Sequence, residues 1–414
     1  MESAFEKLKS KTKELFGIVP EEIQVEEEKT KQVIKSFPHI TKEEILDILG
    51  LSIKSDEHNK LATFLCMLSA FTDSSQFNIA FSAPSSSGKS YIPLEISKLF
   101  PSVQSFGYAS PTSFFHDNTE KKDDEFVVDL ERKILLFLDM PHYELLEKIR
   151  PVLSHDEKVI TVRITDRSKR ALRTKKILVK GYPAVIFCST KLGMDEQEFT
   201  RFLVLSPESD QEKIRESIIQ RIKKESDNKA YDEWIESDQR RKDLKERIIS
   251  IKETHIKDIK IESDLSKEIE NIFLKQKFLK PRNSRDVSRL ISFTKSFALL
   301  NLWQRKTDGE GIITATKEDL NDALFIWEKI FKSQELNLPP YILELYDKVI
   351  LPLFEPGIIL IGRQEILKKH LEVYGRPLYD GQLRKEILPM LENAGFIVQE
   401  PDQQDKRKML VKKL

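Results

Sequence analysis

"FSAPSSSGKS" (81–90) decides how this chain is read. It continues an apolar run, "FNIAFS" (77–82), and ends in Gly88-Lys89-Ser90. One reading is a serine-rich β-turn after a strand. The other is a loop that wraps phosphates, in the pattern Gly-x4-Gly-Lys-Ser/Thr. That pattern works because glycine lets the backbone turn its amides inward, lysine neutralises charge and the hydroxyl binds Mg²⁺. Ala83 stands where the first glycine would be. The position needs a small residue and only sometimes a positive φ, so alanine is a mild departure. Pro93 is a second one: with a helix starting near Lys89, it falls at the end of the first turn and one backbone bond is lost. On this reading Ala83, Pro84, Ser85, Ser86, Ser87, Gly88, Lys89, Ser90 and Tyr91 form the nucleotide-contacting segment.

A lone Gly-Lys-Ser favours the turn, so the rest of the chain has to decide. "ILLFLD" (134–139) is an apolar run that delivers Asp139 at its end, where a carboxylate can hold Mg²⁺ beside a phosphate loop. "AVIFCST" (184–190) ends in Ser189 and Thr190, hydroxyls able to bond an attacking water or a phosphate. "EFTRFLVLSP" (198–207) brings Arg201 to the entrance of a further apolar run. Each alone reads as a buried strand with a capping polar residue. Together and in this order they favour the phosphate loop.

The chain has 414 residues, enough for two or three domains. Lys+Arg and Asp+Glu are both 68, so nucleic-acid binding requires a local basic patch. Cys66 and Cys188 lie far apart in apolar surroundings and read as reduced core residues. With no signal peptide and no apolar run long enough for a bilayer, a cytoplasmic protein without membrane contact is expected. Residues 1–56 read as charged helices, with Thr41 and Glu44 forming a capping box and Gly50 a stop. Residues 57–210 alternate short apolar strands with helices, which predicts a mostly parallel α/β core in three layers. Residues 211–336 read as charged helices followed by a second helical unit in which Thr316 and Asp319 cap "KEDLNDALFIW". Residues 337–414, after the linker "NLPP", read as helix, strand "IILI", helix, helix and a hairpin pairing "FIVQ" with "KMLVKK", a winged-helix pattern. Pro389 should kink the second of those helices or shift its start.

"EFVVDLERKILLFLDMPHYELLEKIRPVLSHDEKVITVRI", a basic hairpin, "AVIFCST" and "TRFLVLSP" resemble, in that order, the minichromosome-maintenance ring helicases and their primase-helicase and replication-initiator relatives on plasmids, phages and genomic islands. Superfamily-3 helicases share the same AAA+ logic. The "NKL" helix (59–61) ahead of the loop is similar to the mobile-element primase-helicases, and "NSRDVSRLISFTKSFALL" resembles the family's helical lid. The resemblance covers roughly 57–332. It implies an AAA+ P-loop NTPase core with a β-hairpin before the sensor strand, a small helical lid, an N-terminal helical segment and a C-terminal winged helix. It further implies Lys89 and Ser90 as the Walker A pair, Asp139 as the Mg²⁺-holding carboxylate and Ser189 or Thr190 at sensor 1. Arg201 would be an arginine finger given to the neighbouring copy, and Arg285 the sensor-2 arginine, with Arg289 as fallback. One departure stands out: Met140 follows Asp139 where the family has Glu, and Glu144 is the nearest acidic substitute.

Arg163 to Lys180 hold eight Lys/Arg against the single acid Asp166. Arg163, Arg167, Lys169, Arg170, Arg173, Lys175 and Lys176 are the candidate contacts to a DNA backbone; a solvated hairpin is the plain alternative. No aromatic interrupts this stretch, so contacts independent of sequence are expected. The expectation is an ATP- and Mg²⁺-dependent DNA helicase, a ring and in the family a hexamer, replicating a mobile element, plasmid or virus. Single-stranded DNA would lie in its channel, and primase, polymerase or initiator proteins would be partners. An ATP-gated DNA switch without unwinding, and a defence or signalling NTPase whose winged helix binds protein, are the alternatives.

Overall fold

The computed structural model describes residues 35–107, 110–122, 125–166, 173–190, 200–275, 279–354 and 356–414. Helix α1 (Lys42–Gly50) opens on the expected capping box: the Thr41 hydroxyl accepts the Glu44 amide, and the Glu44 carboxylate accepts the Thr41 amide. Helix α2 (Glu57–Ser69) is buried at every position from Asn59 to Ser69, as a helix lacking a polar face must be. Its polar start is satisfied locally. Asn59 donates to the Asp56 carboxylate and the Ser206 carbonyl, and the Lys60 ammonium to the Ile53 carbonyl.

The α/β region comprises β1 (Asn78–Ser82), helix α3 (Tyr91–Ser97), β2 (Val103–Phe106), helix α4 (Ser113–Asp117), β3 (Glu120–Lys122), β4 (Glu125–Asp129), β5 (Ile134–Phe137), helix α5 (Tyr143–Leu153), β6 (Val159–Asp166), β7 (Arg173–Lys180), β8 (Ala184–Ser189) and β9 (Phe202–Leu205). The central sheet is β2-β5-β8-β1-β9, parallel throughout. β5 and β9 are apolar at every position and β1 and β8 at most of them, because both faces are covered; the edge strand β2 is polar at Gln104 and Ser105 and only partly buried. Ile79, Phe81, Ile186 and Cys188 face α2 in one core; Ala80, Phe137, Val185 and Phe187 face α5 in the other. Truncating a buried phenylalanine such as Phe81 to alanine costs about 3–5 kcal/mol.

A second sheet, β3-β4-β7-β6, carries the expected hairpin, with register running from Val159 opposite Lys180 to Asp166 opposite Arg173. Ile160, Val162, Ile164, Ile177 and Val179 turn inward to the core of α5. At the hairpin root Gly181 has φ 91°, and a Cβ there would lie 2.5 Å from the Glu131 amide nitrogen. Only glycine satisfies both the conformation and the contact.

Helices α6 (Gln211–Ser226), α7 (Asn228–Ser237) and α8 (Gln239–Thr254) follow, each opened by an aspartate that accepts the amide three residues on. Then come β10 (Asp258–Ile261), α9 (Ser263–Leu274), α10 (Asn283–Leu300), β11 (Ile312–Ala315) and α11 (Lys317–Glu335). β10 stands where the sequence reads as charged helix, and its parallel partner β11 within the second helical unit. Asp319 caps α11 from Thr316, as expected, and also holds Arg305 at 2.6 Å. The core is continuous from the α2 face of the sheet into α8, α10 and α11.

The C-terminal region has its own core, including Ile342, Val349, Ile366, Leu388 and Val411. It contains α12 (Pro340–Leu345), β12 (Leu360–Gly362), α13 (Arg363–Tyr374), a helical stretch 380–393, β13 (Ile397–Pro401) and β14 (Met409–Lys413), with sheet order β12-β14-β13, antiparallel. Pro389 stands in the first turn of an α-helical segment that starts at Leu388, after a π turn, Leu383–Ile387, so the α-helix starts anew around it as expected. The same device, Tyr346–Ile350, precedes Pro352. The wider turn accommodates a residue that cannot donate to the ladder. Among the described residues no helix is long and apolar enough to cross a membrane.

Candidate functional site

The candidate loop follows β1 at the C-terminal end of the sheet. Ser82 pairs with Ser189, Phe137 pairs with Phe187, and the Ala83 amide donates to the Ser189 carbonyl at 3.3 Å. Since β8 lies between β1 and β5, Ser189 sits between the loop and the segment carrying Asp139. The left-handed loop residues are Ser86, φ 63°, and Gly88, φ 86°. Ala83 is not among them; it is buried, so its small size is what the position requires. Helix α3 begins at Tyr91, not near Lys89. Pro93 is therefore its third residue, where no intrahelical donor is needed, and the expected lost bond does not arise.

Lys89 is half-buried, and its ammonium makes no hydrogen bond or ion pair among the described residues. The Ser87 hydroxyl is buried without a hydrogen-bond partner, a costly arrangement for a polar atom unless something binds there. Asp139 is exposed; one of its oxygens accepts the Met140 amide at 2.8 Å. The Met140 sulfur lies 3.9 Å from the Ser189 hydroxyl, so a thioether covers the buried serine while Thr190 is exposed. Glu144 is exposed in the first turn of α5, its amide held by His142 Nδ1. The Cys188 thiol touches the Lys89 carbonyl at 3.5 Å, and burial pushes it up to about 11, so it is an inert core thiol.

Beside the loop opens a cavity of about 550 Å³, within the range of small-molecule sites. Ser86, Ser87, Gly88 and Tyr91 form its floor. Ile53 and Asp56 bound it ahead of α2, Ile214, Ile218, Arg221 and Lys224 along α6, and Tyr374 and Arg376 from the C-terminal region. None of these wall residues beyond the loop was singled out from the sequence. The signal present was the spacing of Ile214, Ile218 and Ile222, four apart on an otherwise charged helix.

The arginines lie elsewhere. Phe202 pairs with Asn78, so Arg201 stands at the N-terminal end of the sheet, opposite the loop. Its Nε donates to the Ser154 hydroxyl at 2.7 Å. Arg285 is exposed at the start of α10 and donates to the Thr200 hydroxyl. Arg289 is buried, donating to the Thr200 and Phe202 carbonyls at 2.9 and 2.8 Å and pairing with Asp286. It fastens α10 to β9. Thus Lys89, Asp139, Ser189 and Glu144 share one end of the sheet, and Arg201 and Arg285 share the other.

On the hairpin, Arg163 faces Lys176 across the exposed side. Lys175 lies on the opposite side, its ammonium 3.8 Å from the Phe126 ring centroid. Arg167, Lys169 and Arg170 lie outside the described residues, as does the Arg173 side chain. Among the described residues no group of three or more His, Cys, Asp or Glu is arranged to hold a metal ion alone. Compared with models of known protein families and with curated protein sequences, the chain matches none.

Proposed function

We propose that this chain is an AAA+ ATPase with a winged-helix C-terminal region, related to the minichromosome-maintenance and superfamily-3 helicases. It acts as a ring, a hexamer by that resemblance, which hydrolyses ATP to translocate on and unwind DNA in replication of a mobile element, plasmid or virus. One observation carries the reading: an uncommitted lysine, an orphaned hydroxyl, a carboxylate just past a strand and a buried serine share the C-terminal end of the parallel sheet, where the loop also borders a cavity of about 550 Å³. Ligands of parallel α/β sheets bind at this end of the strands.

The residues present fit ATP and its ion. Lys89 and the loop amides would bind the phosphates, and the Ser87 hydroxyl would gain an acceptor. Ser90 and Asp139 would hold Mg²⁺, which is commonly bound by one or two protein oxygens plus phosphate and water, and which when bound neutralises charge on the phosphates. With Met140 after it, Asp139 also orients the attacking water, or shares that task with Glu144. Arg201 and Arg285 face away from the loop of their own chain, which favours their serving the loop of the next copy. The basic hairpin supports sequence-independent contact with single-stranded DNA.

A second reading, an ATP-gated DNA clamp that does not unwind, is favoured by the Met140 thioether on Ser189 in place of a carboxylate. ATPase assays with and without single-stranded DNA separate the two, using wild type, Lys89→Ala, Arg201→Ala and Lys169→Ala/Arg170→Ala. For a motor, DNA stimulates hydrolysis and all three variants suppress the stimulated rate. Binding of ATP with no turnover on any DNA overturns the motor and leaves the clamp.

A further inference from the structure

Resting on the nucleotide reading above, we propose that Arg376, carried by the C-terminal region, is a binding residue for the phosphate chain of a nucleotide held at the loop of the same chain. The C-terminal region would then be part of the site rather than an appendage tethered to it.

Arg376 and Tyr374 line the cavity floored by Ser86, Ser87 and Gly88. The same two residues line a second, narrower cleft, where Ala83, Pro84 and Ser87 meet Tyr341, Glu344 and His370. The C-terminal region therefore borders the loop along both openings. The backbone that presents Arg376 is built to hold it there. Helix α13 ends on Gly375, whose φ of 67° turns the chain back, and the Gly375 amide bonds the Leu371 carbonyl at 2.9 Å. The His370 ring, itself buried, holds the Arg376 carbonyl at 3.0 Å through Nδ1 and packs on Tyr374 at 4.8 Å between centroids.

The side chain is not committed to any of this. Among the described residues the Arg376 guanidinium has no ion pair and no hydrogen bond, although it is only half exposed. The other cations of the cavity are engaged: Lys54 with the Gly50 carbonyl at 2.7 Å, Lys213 with Asp56, Arg221 with Glu225 at 2.5 Å, and Lys224 with Glu95 at 3.8 Å. Arg376 and Lys89 are the cations at the loop left with charge to offer. A planar guanidinium suits phosphate oxygens, which it can grip through two parallel donors.

The test is titration calorimetry of the full-length chain with ATP, ADP and AMP, on wild type, Lys89→Ala, Arg376→Ala and Arg376→Lys, with thermal melts to check folding. The expected result is a loss of ATP and ADP affinity in Arg376→Ala of roughly 10- to 100-fold, the scale of a charge-assisted hydrogen bond. AMP binding should change little, and Arg376→Lys should recover part of the loss. An equal loss for all three ligands would mean that Arg376 only supports the packing of the C-terminal region, and would overturn the proposal. Wild-type affinities in Arg376→Ala, with Lys89→Ala defective, overturn it while leaving the nucleotide reading intact. Absence of nucleotide binding by wild type defeats that reading, and this inference with it.

Discussion

At the C-terminal ends of the central strands, Lys89 and the Ser87 hydroxyl stand without partners among the described residues, and Asp139 accepts a single backbone amide. At the N-terminal ends, Arg201, Arg285 and Arg289 are all hydrogen-bonded, to Ser154, to Thr200 and to the β9 carbonyls with Asp286. The first end keeps polar groups free at a cost in stability. The second fixes its cations in place, so that an arginine is displayed without being mobile. The difference lies in the cations: Lys89 is left for a ligand to partner, whereas the three arginines are held by the chain's own acceptors.

The largest effect that would break this contrast comes from Arg201→Ala. On the proposed function it lowers the ATPase rate by about 10³–10⁵, while ATP affinity, measured by calorimetry, stays near wild type. Mixing it with Lys89→Ala should restore part of the rate, since each inactive copy then supplies what the other lacks. No restoration would return both arginines to a structural role.

Next is Asp286→Ala. Asp286 is fully buried between Arg282 at 3.4 Å and Arg289 at 3.1 Å. Its removal leaves buried cations uncompensated, a loss of about 3–5 kcal/mol in urea unfolding. It should also free α10 from β9 and lower the ATPase rate. A normal rate at reduced stability would show that the arginine end tolerates looser anchoring than the contacts imply.

Acid should attack the same end. His155 follows the partner of Arg201, packs on Tyr182 and has a buried Nε2 without a hydrogen-bond partner; burial lowers it from 6.5 to about 4. Between those values the unfolded chain binds a proton that the folded chain refuses. Stability is therefore full above pH 6.5 and falls as pH drops toward 4, by on the order of 2–3 kcal/mol. Urea midpoints at pH 7 and pH 4.5 measure it, and His155→Gln should flatten the difference. The smallest effect is expected from Arg163→Ala/Lys176→Ala. The slope of log affinity for single-stranded DNA against log salt should become shallower by about 1.4. An unchanged slope would remove this face of the hairpin from the contact.

Much of the fold was legible because it rests on local rules. "FNIAFS", "ILLFLD", "AVIFCS" and "FLVLS" are buried on both faces and so advertise themselves as apolar runs. The boxes Thr41/Glu44 and Thr316/Asp319 are written within four residues. The strand β10 was missed although "DIKI" alternates charge with isoleucine in a strand's period: the run is four residues long, lies in a highly charged stretch, and pairs with a partner some fifty residues later. The site was half legible. Ser189 ends β8, Asp139 follows β5 by two residues and Lys89 lies in the loop after β1, placements that order along the chain already implies. Tyr374 and Arg376 reach the cavity through the packing of a region nearly three hundred residues away, and no local pattern records that. Lys175 shows a rule left unused. Alternation puts it on the face of Ile177 and Val179, away from Lys176, so counting charges along the hairpin overstated what one side presents.

Strand β8 has a mechanical consequence. It starts three residues after Gly181, which is locked against Glu131 at the hairpin root, and ends at Ser189, whose carbonyl holds the Ala83 amide. Its six residues form a strut about 20 Å long, fully buried and hydrogen-bonded on both edges. A pull on the hairpin along that axis loads both ladders in shear, so their bonds must yield together rather than one by one. The hairpin root and the loop are thus joined by a single strand tied along both edges, a path along which bending is resisted by two ladders at once.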